Sequence, residues 1–140
     1  MKEVARIINH PQVYNMISDD LSQPPYVPRP YEFYVINEEK TGVIRIDPMN
    51  GIMCQVHTSC MPELWGHAKD FVAEAIAWGW ENTRYSKIIS FVPDFNPLAA
   101  RLCQMCGFKK EGVIKKSFLK NFKLYDQTIY GLSKYENKGE

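Results

Sequence analysis

No apolar run in this chain approaches the ~20 residues that a helix needs to cross a bilayer, although 45% of the residues are hydrophobic. The opening Met1-Lys2-Glu3-Val4-Ala5-Arg6 has no apolar core of signal-peptide length. A cytoplasmic location, with no membrane partner, is therefore the expectation. Net charge is scarce too, at +1. A chain so balanced shows no overall electrostatic preference for nucleic acid or anionic lipid. Cysteine is limited to four residues, Cys54, Cys60, Cys103 and Cys106. Without a secretory leader these are expected to be thiols. No internal repeat or low-complexity block appears, which argues against solenoids and long linkers.

What remains is an ordinary globular composition with 24% charged and 13% aromatic residues. Its 140 residues suit one domain with a single sizeable core. We expect that domain over residues 1–134, followed by a polar tail at 135–140. Val4 to Ile8 is a short apolar run, expected as a first strand. Pro11 fits the first turn of a helix reaching about Ser18. Prolines at 24, 25, 28 and 30 make 19–30 a stiff loop, bearing Tyr26, Arg29 and Tyr31. Residues 32–37, 41–46 and 52–58 alternate as strands. The turn at Asp47-Pro48-Met49-Asn50-Gly51 is expected to use the tolerance of Asn-Gly for positive φ.

Pro62 predicts a helix start, and Phe71, Val72, Ala75, Ile76 and Trp80 recur at helical spacing. A strand at 87–92, a short helix at 97–106 and two strands at 112–118 and 125–132 complete the order. Asn121 falls in the last turn. The class is α+β, with a mixed sheet.

Cys54-x-x-His57-x-x-Cys60 with Cys103-x-x-Cys106 resembles a zinc set. Cys54 and His57 lie three apart on a strand, however, and point to opposite faces. Core thiols are the expectation, with no metal. Six lysines between Lys109 and Lys123 fit a solvated strand face or edge protection. They could also attract an anionic ligand, but no nucleic-acid module accompanies them.

The stretch after the 87–92 strand carries the chemistry. Asn96-Pro97 opens a helix, Gly107 stops it, and Gly107-Phe108-x-x-Glu111-Gly112 starts the next strand. With Trp80, Ala99 and Asp126 at their spacings, this resembles the GCN5-related N-acetyltransferase (GNAT) family. The branch that acetylates ribosomal-protein N-termini and similar amines is the nearest likeness. The resemblance runs over roughly residues 31–134. It implies a central twisted mixed sheet of about seven strands flanked by helices.

The resemblance also implies acetyl-CoA as co-substrate. The family's phosphate-binding turn falls on Glu63-Leu64-Trp65-Gly66-His67-Ala68, so Gly66, His67 and Ala68 are candidate cofactor contacts through backbone N–H groups. Glu63 stands where Arg or Gln is usual. Asn96 resembles the residue that bonds the pantetheine chain, and is also a good helix cap. Cys103 occupies the place of a tyrosine acid. Met53 occupies the place of a strand glutamate. His57, on the Met53 face, is the candidate base. Tyr26, Arg29 and Tyr31 are candidate acceptor contacts.

The implied activity is transfer of an acetyl group from acetyl-CoA to an amine by direct attack, on a small molecule or a peptide. Holding the amine against the thioester supplies much of the rate. The alternative is an inactive member keeping the fold as a structural or protein-binding module, a protein partner or a homodimer then being open.

Overall fold

The computed structural model describes residues 1–135. The expected tail lies outside the described residues apart from Tyr135. Two short helices open the chain, α1 (Lys2–Ile8) and α2 (Pro11–Ile17). Three strands follow, β1 (Phe33–Ile36), β2 (Gly42–Pro48) and β3 (Met53–Cys60). A 3-10 turn at Pro62–Leu64 leads to α3 (Lys69–Asn82), β4 (Lys87–Pro93) and α4 (Pro97–Met105). The hairpin β5 (Lys109–Lys120) and β6 (Lys123–Ser133) ends the described chain.

The expected strand at Val4–Ile8 is instead α1. Val4, Ile7 and Ile8 recur at the i, i+3, i+4 spacing of a helix face and are all buried. They pack with Val43 of β2. The sheet therefore has six strands rather than about seven, in the order β1-β2-β3-β4-β6-β5. Every neighbouring pair is antiparallel except β3 and β4.

Two apolar layers sandwich this sheet. On one face, Cys54, Ile88, Val92, Phe108 and Tyr130 pack with Trp80 and Ile76 of α3 and with Ala99 and Cys103 of α4. On the other, α1 and Val43 pack with Tyr26, Tyr34 and Met61. Lys120 pins α2 to the far hairpin. Its ammonium donates to the carbonyls of Asn15, at 2.5 Å, and Ser18, at 2.8 Å. Beside it, the Asp20 carboxylate accepts from the Asn121 and Phe122 amides, at 2.8 and 2.7 Å, in the turn where both residues have positive φ.

The turn at Asn50-Gly51 works differently from expectation. Neither residue has positive φ. The Asn50 side chain accepts from the Ile52 and Met53 amides, each at 2.9 Å, which closes an Asx turn. Gly107, by contrast, does terminate α4 at φ +89, its amide bonding the Gln104 carbonyl at 3.1 Å.

Candidate active site

The single parallel pair sets the site. β3 and β4 pair only at Met53↔Lys87, Cys54↔Ile88 and Gln55↔Ile89. β3 then continues to Cys60 and β4 to Pro93. Past Gln55 and Ile89 the strands make no ladder with each other, so their inner edges part into a crevice. Outer edges stay paired, β3 with β2 as far as Cys60 and β4 with β6 as far as Pro93. Such a gap at the C-terminal ends of parallel strands is where ligands enter open α/β sheets.

The chain leaving β3 turns through Gly66, at φ +78, into α3. Sequence spacing puts the helix start at Pro62. The long helix instead begins at Lys69, because the 3-10 turn and Gly66 intervene. Gly66 and Ala68 consequently lie in the turn and at the N-cap. Ala68 has no polar side chain and caps nothing. The first-turn N–H groups, with the positive end of the helix dipole, are left for an anion. Glu63 and Gly66 are exposed at this turn, and His67 beside them also faces solvent.

Across the crevice, Asn96 caps α4 by accepting from the Ala99 amide at 3.2 Å. Its oxygen is spent there, and its amide nitrogen retains donors. Cys103, on the same helix, packs in the core layer on the α3–α4 face. Burial pushes its thiol up to about 11, so it keeps its proton at neutral pH. Cys54 and Cys60 are likewise pushed up to about 11 by burial. Cys54 is a core thiol and Cys60 is half-buried; all four cysteines are free. Among the described residues no cluster of three or more His, Cys, Asp or Glu side chains is placed to hold a metal ion.

On the opposite face, the sheet register assembles a polar pocket. Tyr34 pairs with Arg45, and Arg45 pairs with His57, which aligns three side chains across β1, β2 and β3. The loop residues Tyr26, Arg29 and Tyr31 close over this row. They line one cavity of about 380 Å³ together with Glu32, Arg45 and Asp47. The loop is anchored by Asn9, whose side chain bonds the Tyr26 amide at 2.7 Å and the Tyr26 carbonyl at 2.8 Å.

Within the pocket, the Glu32 carboxylate accepts from the Tyr26 and Tyr34 hydroxyls at 2.8 and 2.6 Å. Burial raises its pKa, but those hydroxyls and the arginines outweigh burial and hold it below the ordinary 4.5. Arg45 donates to Asp47 Oδ2 at 3.2 Å and stacks on the Tyr26 ring at 5.9 Å. His57 Nε2 lies 3.1 Å from the same Asp47 oxygen. That contact fixes the imidazole proton on Nε2 and leaves Nδ1 as the basic nitrogen. Burial, and then Arg45, lower the His57 pKa below 6.5 against the pull of Asp47. His57 is therefore neutral at neutral pH and able to accept a proton.

This shift has a sign. The unfolded chain binds a proton on His57 more readily than the folded one, so stability is lost as pH falls through 6.5. Glu32 adds its own loss only below 4.5. Thermal unfolding at pH 7.5 and 5.5 should show a drop that His57→Gln largely removes. An equal drop in the variant would assign the pH dependence to other groups.

Tyr26, Arg29, Tyr31 and His57 thus gather on one face, while Cys103 lies on the other. Gly66, His67, Ala68 and Asn96 flank the crevice between them. Sequence reasoning missed Glu32, Tyr34, Arg45 and Asp47. The readable signal was Arg45 and Asp47 alternating with Ile44 and Ile46 in a strand whose Val43 faces the core.

The strand order, the parting of β3 from β4 and the position of α3 define the GNAT fold. Solved structures with the same architecture include the spermidine/spermine N-acetyltransferase SpeG from Vibrio cholerae, determined with manganese ions, at a TM-score of 0.63 and 23% identity over 74% of this chain and 64% of that one. A GNAT-family acetyltransferase from Bacillus anthracis aligns with a TM-score of 0.64 and 21% identity over 75% of this chain and 67% of that one. By sequence, the uncharacterized N-acetyltransferase YoaA of Bacillus subtilis (strain 168) is 30% identical over 76 residues, 53% of this chain. The chain spans 43% of the length of that relative. Over residues 4–139 the chain belongs to the family described as protein of unknown function (DUF2824). No helix among the described residues is long and apolar enough to cross a membrane.

Proposed function

We propose that the chain is an acyl-CoA-dependent N-acetyltransferase moving an acetyl group from acetyl-CoA to an amine by direct attack. The observation that carries this reading is the position of His57, two residues beyond the last β3–β4 pair at Gln55. A neutral base beside a polar cavity thus stands where the sheet opens. Gly66 and Ala68 would hold the pyrophosphate through backbone donors, whereas the His67 amide already donates to the Leu64 carbonyl at 2.9 Å and would contribute only its side chain. The amide nitrogen of Asn96 would bond the pantetheine arm. Acetyl-CoA supplies the activated acyl thioester. Free amide groups along the inner edge of β3 suit its polarised carbonyl.

In this reading His57 Nδ1 takes a proton from the acceptor ammonium, directly or through water, and the amine lone pair so freed attacks the thioester carbonyl as the C–S bond breaks. Cys103 is the candidate to return a proton to the departing thiolate. The Asn96–Gly112 motif supports a place near the branch that acetylates ribosomal-protein N-termini. The names of the structural neighbours support amine acceptors more broadly.

A second reading, a non-catalytic module, is favoured by one feature: the exposed carboxylate of Glu63 at the phosphate turn. Its repulsion is on the order of 1 kcal/mol, roughly tenfold in affinity or less, which weakens cofactor binding without forbidding it.

Release of free thiol from acetyl-CoA, measured across a panel of amines, separates the two. Amine-dependent release is expected. In His57→Gln its kcat should fall by roughly 100-fold, with the KM for acetyl-CoA unchanged. No release for any amine, whether or not acetyl-CoA binds, would favour the module.

A further inference from the structure

We propose that the cavity lined by Tyr26 and Tyr31 takes a small zwitterion, an α-amino acid whose carboxylate lies on Arg29 and whose amino group faces Asp47, the carboxylate that also contacts His57. The assignment of that amino group as the acetyl acceptor rests on the acetyltransfer reading above. Binding of the zwitterion does not.

Charge and size carry the inference. The cavity presents two guanidinium groups, Arg29 and Arg45, and two carboxylates, Glu32 and Asp47. Its contents are therefore balanced, and a ligand bearing both signs complements them. A polycation would find a single open carboxylate oxygen, Asp47 Oδ1, because both contacts of Asp47 fall on Oδ2 and Glu32 is engaged. Glu32 is held by two tyrosine hydroxyls, with Arg29 at 3.7 Å and Arg45 at 3.8 Å. Asp47 is held by Arg45 at 3.2 Å.

The groups left to a ligand also differ in sign and place. Arg29 stands at the rim with 62% of its side chain exposed, one long ion pair to Glu32 and the Tyr31 hydroxyl beside it. A planar guanidinium so placed can meet a carboxylate with two parallel bonds. Both contacts of Asp47 fall on Oδ2, so Oδ1 can receive an ammonium. About 380 Å³ lies at the small end of ligand pockets and suits an amino acid rather than a peptide. The tyrosine rings and Pro48 offer apolar surface for a side chain.

The test uses the full chain and matched pairs, each an L-amino acid and the amine left by its decarboxylation, such as leucine with isoamylamine and phenylalanine with phenethylamine. Spermidine is the polycation control. Calorimetric titration without acetyl-CoA should show at least one amino acid binding roughly tenfold or more tightly than its amine. Arg29→Gln, at an exposed site, should erase that preference without changing the melting temperature. Equal affinity within every pair, preferred binding of spermidine, or a preference that survives Arg29→Gln would overturn the inference. Repeating the titrations with acetyl-CoA and following thiol release isolates the other claim. An amino acid that binds with the stated preference but is never acetylated upholds the zwitterion site and overturns the acetyltransfer reading.

Discussion

Gly66→Val should lower acetyl-CoA affinity by at least about 100-fold while leaving the protein folded. The two halves of that expectation have separate causes. A Cβ at Gly66 meets no atom within 4 Å, so the added side chain does not clash with the protein itself. The backbone there sits at φ +78, where a β-branched residue is strained by roughly 1–3 kcal/mol. The exposed turn can relax part of that strain by rotating. Relaxation is what harms binding, because the N–H groups of the turn and of the first turn of α3 lose their common aim. Each lost charge-assisted hydrogen bond removes roughly 1.5–3 kcal/mol, so two suffice for about 100-fold. Gly79→Ala is the matched control. It lies in α3 with open space around it and no positive φ, and it should leave affinity unchanged. Titration of both variants, beside their melting curves, checks this.

Ile7→Ala should cost about 2–5 kcal/mol of stability, because Ile7 is fully buried at 0% exposure beneath α1. For a domain of this size that is a fall in melting temperature of roughly 10 °C. The effect is large because α1 is only seven residues long. A helix so short has little stability of its own and is held by its apolar stripe on Val43. Arg6, by contrast, donates to the Lys40 carbonyl and pairs with Glu3 in exposed positions, so Arg6→Ala should move the melting temperature little. Thermal unfolding of the two variants side by side measures the difference. A cost below about 1 kcal/mol for Ile7→Ala would mean that α1 does not dock as described.

The same helix shows where sequence reasoning stops. Five apolar-leaning residues with Val and Ile among them fit a strand or a helix equally by composition. The spacing of Val4, Ile7 and Ile8 was in the sequence, but over so short a run only packing against the sheet decides. The helix from Asn96 to Gly107 was legible, because each signal there is local: a capping asparagine, a proline at the first helical position, a glycine at the helix end. The strand after it starts at Lys109, three residues before the expected Gly112. The turn before α3 was legible in part. Spacing from Trp80 located Gly66 and Ala68, yet the positive φ that delays α3 is a property of the folded turn. The pocket was the least legible. Tyr34, Arg45 and His57 come together only through strand register, which links positions 34, 45 and 57 across two antiparallel pairings. Cys103 reaches its place by a different route, through the packing of α4 on the other face of the sheet.

Calorimetric titration of the intact chain with acetyl-CoA tests the central claim most directly. Saturable one-to-one binding in the micromolar range, lost in Gly66→Val, is the expected result. No heat of binding at millimolar acetyl-CoA would contradict the account.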